Sequence, residues 1–224
     1  MAQLVFIVGV SGSGKSTSGR NLNPDTTVII NSDQKALPFK KFAEKYNTEK
    51  GNYYKTSGMD NVMNALKESH KNPNIKEVLF DTWSRSMTDY VMSTTFRAAK
   101  GFEKYGIFAG TQYDMLNVIN ERMRDDIIVY VMCHPDIVVD DMGNRIEKIA
   151  TQGKMLERFF PESFSSIVLY SDIQKIHGEP NRHIFKTISN GNDSCKTPLE
   201  MFETDVIDND LTIVSTAIRE YYGI

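Results

Sequence analysis

Only two cysteines, Cys133 and Cys195, occur in the 224 residues, and they form no CxxC pair. That excludes a disulfide framework and a cysteine-based metal site, and it suits reduced thiols in the cytoplasm. No apolar run is long enough to cross a bilayer, so no membrane association is expected. The first strand-like run begins at once, so no signal peptide is expected before it. Positive charge is not in excess: 26 Lys and Arg stand against 29 Asp and Glu, a net charge of −3, which excludes a globally basic nucleic-acid binder. Repeats and low-complexity segments are absent as well. The charge is uneven, with lysines at 35, 40, 41, 45, 50 and 55 and acids at 200, 203, 205, 208 and 210. Such a division fits either a local anionic partner or two solvated faces.

What is present suits a globular fold, with 40% hydrophobic and 25% charged residues. Apolar runs bounded by turn residues predict strands over 3–8, 26–31, 75–81, 127–133 and 166–170, with a sixth near the edge over 182–188. A short helix ending at Asn23-Pro24 separates the first two. One-sided apolar spacing predicts helices through Met87–Tyr105, Met115–Met123 and Leu211–Tyr221. Alternation of apolar strands with amphipathic helices predicts an α/β fold, a mostly parallel central sheet with helices on both faces. The expected organisation is one domain over 1–224, with 199–224 an acidic linker and a helix packed on the core. Residues 32–58, 135–154 and 171–198 read as long connections, where function tends to lie.

The pattern that carries chemistry is Gly9-Val10-Ser11-Gly12-Ser13-Gly14-Lys15-Ser16-Thr17, directly after Leu4–Val8. Glycines at 9, 12 and 14 let successive backbone N–H groups turn inward on phosphate, as do Ser11 and Ser13 by their small size. A helix starting near Gly14 adds its positive end. Lys15 is placed for the β- and γ-phosphates, Ser16 for Mg²⁺ and Thr17 for the phosphate chain. The expected ligand is therefore a nucleoside triphosphate with magnesium.

Ligands of open α/β sheets bind outside the carboxyl ends of strands. Asp81, closing Val78-Leu79-Phe80, is the expected Mg²⁺ partner of Ser16, although Asp also suits a helix cap. Asp33, after Val28–Ser32, is placed to orient or deprotonate a nucleophile. His134, after Tyr130–Cys133, is placed to meet the γ-phosphate.

Together these positions resemble the RecA-like P-loop ATPase core, in particular the short phage nucleotide-binding (AAA-type) ATPases of recombination and single-strand annealing. The matching elements are Gly9–Thr17, the strand ending at Asp33, Phe80-Asp81-Thr82-Trp83-Ser84, the strand ending at His134, and His183-Ile184-Phe185-Lys186-Thr187 with Asn190-Gly191 and Lys196-Thr197-Pro198. The resemblance implies ATP and Mg²⁺ held by Lys15, Ser16 and Asp81, and water positioned by Asp33 where RecA has the longer Glu. It implies a γ-phosphate sensor at His134 and Lys186 crossing a subunit interface to a neighbour's ATP. It further implies single-stranded DNA contact by the loop after His134, through Arg145, Lys148 and Lys154 among the acids Asp136, Asp140, Asp141 and Glu147. A homo-oligomer, a single-strand-binding protein as partner, and the host cytoplasm if the chain is viral follow in the same way. Tyr53 and Tyr54 could stack bases or pack in the core.

Three readings stay open. One is an ATPase of recombination type. The second is a P-loop kinase in which Asp33 is the general base for a nucleoside, polynucleotide or metabolite hydroxyl. The third is a module whose bound ATP only switches affinity for a partner.

Overall fold

A computed structural model describes residues 2–139, 143–175, 177–178 and 180–224. Asp140 and Asp141, counted among the acids after His134, lie outside the described residues. The strands are β1 (Gln3–Val8), β2 (Thr27–Asn31), β3 (Tyr53–Lys55), β4 (Glu77–Asp81), β5 (Ile128–Cys133), β6 (Pro135–Val139), β7 (Arg145–Ile149), β8 (Ile167–Gln174), β9 (Arg182–Lys186) and β10 (Val206–Asp208). The α-helices are α1 (Phe42–Lys45), α2 (Met59–Lys71), α3 (Trp83–Met92), α4 (Thr94–Ala98), α5 (Glu103–Arg122), α6 (Lys154–Glu157) and α7 (Leu211–Tyr222). Among the described residues, eight strands form one sheet in the order β10-β9-β8-β1-β5-β4-β2-β3, and β6 pairs with β7 apart from it.

All pairings from β8 through β1, β5, β4 and β2 to β3 are parallel, while β9 and β10 join antiparallel. The chain thus adopts the mostly parallel α/β class expected, with β1 in the middle. Alternation along the strands builds two cores. Leu4, Phe6, Val8, Val78, Phe80, Val129 and Val131 face α2, α3 and α5, where Phe6 stacks on Trp83 with ring centroids 6.0 Å apart. Val5, Ile7, Ile29, Leu79, Ile128 and Tyr130 face the other way, onto Leu211, Val214 and Ile218 of α7.

Several elements depart from the sequence expectation, among them β3 and β10, which add two edge strands where a connection and a linker are expected. The helix after the glycine-rich loop is a single six-residue 3-10 segment, Ser16–Asn21, not a longer helix from Gly14. Asn23 precedes Pro24, which disfavours helix there, and the chain turns into β2 within a few residues. α2 falls where no element was assigned, although Met59, Val62, Ala65 and Leu66 are buried at helical spacing. Residues 135–139 and 145–149 pair antiparallel as β6 and β7, where the sequence reads as a connection. The long stripe Met87–Tyr105 is broken into α3, α4 and the start of α5. Ser93 ends α3 and caps α4 by accepting a hydrogen bond from the Phe96 N–H.

Candidate functional site

Parallel register brings the ends of β1, β5, β4 and β2 to one edge. Val8 lies opposite Cys133, Phe80 opposite Val131, and Asn31 opposite Asp81. The residues that follow line one cleft of about 240 Å³: Ser11, Gly12, Gly14, Lys15, Ser16 and Thr17 of the loop, with Asp33, Asp81 and His134. Seen from the sequence these are distant residues; the sheet makes them neighbours.

The loop is tightly seated. A Cβ on Gly9 would lie 2.6 Å from both Ser13 Oγ and the Ser171 carbonyl, so only glycine fits there. Gly14 has φ +112 and likewise leaves no room for a side chain. Ser13 is buried beneath the loop and does not line the cleft. Lys15 curls back, its Nζ donating to the carbonyls of Gly9 at 2.6 Å and Val10 at 3.0 Å. Burial pulls the pKa of this ammonium down, against the attraction of Asp81. A phosphate chain offers it stronger, charged acceptors in place of two carbonyls.

Asp81 is 1% exposed. Its Oδ1 is buried without a hydrogen-bond partner, while the carboxylate is hydrogen-bonded by Ser16. Burial lifts its pKa to about 6, opposed by the Ser16 bond and the Lys15 charge. It does not cap α3: the N-cap is Thr82, whose hydroxyl turns instead to Asp33 at 3.1 Å. A bare carboxylate oxygen beside a serine hydroxyl is a hard-oxygen pair that fits Mg²⁺. No group of three or more His, Cys, Asp or Glu that could cage a metal occurs among the described residues. Two protein oxygens completed by phosphate and water are the usual magnesium arrangement.

Asp33 is pinned from three directions. Ser32 N–H donates to the Asp81 carbonyl at 2.7 Å and Ser32 Oγ accepts from Thr82 N–H at 2.9 Å, tying the β2 end to the β4 end. Lys35 Nζ lies 2.7 Å from Asp33 Oδ2. Burial pushes the Asp33 pKa up, but Lys35 and Thr82 outweigh it and hold the carboxyl below its ordinary value. His134 is half-buried, and burial followed by the Lys15 charge lowers its pKa, leaving a neutral imidazole that reaches the Gly9 backbone.

Other predicted residues lie elsewhere. Lys186 does not line the cleft of its own chain; its Nζ stands 3.3 Å from Asp172 and 3.9 Å from Asp193. Arg145 is on β7. Lys148 and Lys154 line a separate hollow of about 240 Å³ with Asp136, Glu157, Phe160 and Glu162, where Lys148 Nζ sits 5.7 Å from the Phe160 ring centroid. Tyr53 and Tyr54 pack in the cores. Tyr53 meets Phe42 edge-on at 5.1 Å and its hydroxyl accepts from Asn31. The cleft also holds Lys35, Pro38, Thr82 and His183, to which the sequence assigned no role. Thr82 and His183 stand inside the elements that carry the resemblance, and Lys35 is two residues from Asp33; those are the signals the sequence offers for them.

No family model matches the chain, and no curated protein matches it. Solved structures similar in fold include a KaiC-like protein from the hyperthermophilic archaeon Pyrococcus horikoshii. It is 14% identical, with 82% of this chain and 78% of that one covered and a TM-score of 0.49. The flagellar accessory protein FlaH from Methanocaldococcus jannaschii is 10% identical, with 82% and 76% covered and a TM-score of 0.44.

Proposed function

We propose that the chain binds ATP with Mg²⁺ and hydrolyses it, in phage-type recombination or single-strand annealing on single-stranded DNA. The observation that supports it most is the buried, unpartnered Oδ1 of Asp81 beside Ser16 and Lys15 in the loop cleft. When bound, Mg²⁺ would draw charge from the β- and γ-oxygens. Lys15 neutralises the same oxygens as charge builds on them. Asp33, ionised at neutral pH, accepts a hydrogen bond from the attacking water and orients it. The water oxygen bonds to the γ-phosphorus, the bond to the β–γ bridging oxygen breaks, and ADP and phosphate leave with the water's protons on phosphate and solvent.

A kinase would use the same Asp33 as a base. Held below its ordinary pKa by Lys35 and Thr82, Asp33 is a weak one. Kinases often place an arginine over the phosphates, and among the described residues no arginine lines the cleft. Arg124 is engaged at the opposite sheet end by Asp126 and the carbonyls of His70, Asn72 and Ile75. The DNA part rests on the resemblance and on Arg145 and Lys148 of β7, which pairs with β6 next to His134.

Phosphate release with and without single-stranded DNA tests the proposal. Release raised by DNA is the expected result, and Lys15→Ala should abolish triphosphate binding. Phosphate appearing only on an added hydroxyl acceptor would establish the kinase, and tight ATP binding with neither would establish the switch.

A further inference from the structure

His134, Asp81 and Asp33 follow β5, β4 and β2, and so lie on one flank of β1. The opposite flank brings one more side chain into the cleft, His183 of β9. Its Nδ1 lies 2.8 Å from the Ser13 carbonyl. A carbonyl only accepts, so Nδ1 carries a proton in this contact, and in that tautomer Nε2 is left as the acceptor nitrogen of the ring. The carbonyl it meets is fixed in turn. Ser171 Oγ donates to the same Ser13 carbonyl at 3.0 Å, and Asn209 Nδ2 donates to Ser171 Oγ at 3.1 Å. A Cβ built on Gly14 would come within 3.1 Å of His183 Nδ1 and 2.9 Å of Asn209 Oδ1.

We infer that His183 accepts a hydrogen bond from a ribose hydroxyl of the bound nucleotide through Nε2, and so sets the preference for ribonucleotide over its deoxy analogues. This rests on the triphosphate reading of the loop. A phosphate chain whose γ end turns toward Asp81 and Asp33 runs its nucleoside end toward the other flank, where His183 stands. Phosphate oxygens are acceptors and have nothing to donate to Nε2. The nearest donors beyond the α-phosphate are the ribose hydroxyls.

Calorimetric titration of the full chain with ATP, 2′-deoxyATP and 3′-deoxyATP in Mg²⁺ is the test. The wild-type chain should bind at least one deoxy analogue about fivefold or more weakly than ATP, the worth of one hydrogen bond. His183→Asn, whose amide can still donate to the Ser13 carbonyl, should bind all three within about twofold by the same reckoning. Equal binding of the three by the wild-type chain overturns the inference, and so does a His183→Asn loss shared equally by all three. Lys15→Ala separates this from the underlying reading. Triphosphate binding that survives Lys15→Ala removes the loop assignment itself, and this inference with it. Binding lost in Lys15→Ala, but blind to the deoxy analogues in the wild type, removes only the role of His183.

Discussion

Asp81 is buried among apolar strands, yet one of its oxygens has no protein partner. Its folded pKa of about 6 lies above the ordinary 3.8. For a carboxyl raised in this way, the stabilising contribution is complete below pH of about 4 and is lost as pH rises through about 6. The metal-free chain therefore carries a penalty at neutral pH on the order of 2–3 kcal/mol. Asp81→Asn should accordingly raise the metal-free melting temperature at pH 8 by several degrees. The same substitution should erase the extra stabilisation given by Mg²⁺ with ATP. A calorimetric scan with and without the ligands checks both, and a lowered metal-free melting point would contradict this account of the burial. Nucleotide affinity that depends on Mg²⁺ should weaken as pH falls below about 6, because the protonated acid cannot serve the metal.

Elements seat the loop from both sides. The short 3-10 segment after it has no apolar stripe of its own to hold it. Arg20 instead donates to the Asn209 carbonyl at 2.6 Å and lies 3.4 Å from Asp210 Oδ2, and Asn21 donates to the same carboxylate at 2.6 Å. Asp210 is also the N-cap of α7, its Oδ1 accepting from Thr212 N–H at 3.0 Å. Part of the acidic stretch before α7 is thus a clasp between the last helix and the 3-10 segment that follows the glycine-rich loop. Asp210→Ala should cost about 1–2 kcal/mol through the lost cap alone, lowering the melting temperature by about 3–6 °C in a chain of this size. ATP affinity should fall as well. Thermal unfolding and nucleotide titration of the variant measure the two effects, and an unchanged melting point would show that the clasp carries no load.

At the scale of the whole molecule, Lys186 stands on the β8–β9–β10 side and is shared between Asp172 and Asp193. If it serves a neighbour's ATP in an assembly, Lys186→Ala should leave ATP binding intact and lower turnover of the assembled form. Mixing it with the Lys15→Ala chain is the decisive measurement. Each lacks what the other supplies, so mixed assemblies should regain turnover, and no recovery at any ratio would remove the interface role. Single-stranded DNA bound through Arg145, Lys148 and Lys154 should dissociate steeply with salt. Replacing all three by Ala should weaken binding and flatten that slope, as read by fluorescence anisotropy. Among the described residues no helix is long and apolar enough to cross a membrane.

The sequence alone determined six of the eight described strands of the central sheet and the glycine-rich loop, because both are local. A buried strand announces itself by a continuous apolar run, and the loop needs glycine and lysine at fixed spacing whatever surrounds it. Asp81, Asp33 and His134 were legible for the same reason, as polar residues closing such runs. Tertiary structure decided the rest. Only the strand order puts His183 and the Asn209–Ser171 bond behind Gly14, more than 150 residues away along the chain. Only packing shows that Thr82 claims Asp33, that Lys186 does not line its own cleft, and that one oxygen of Asp81 is left without a partner. Those facts depend on contacts between distant segments, and no window of sequence contains them.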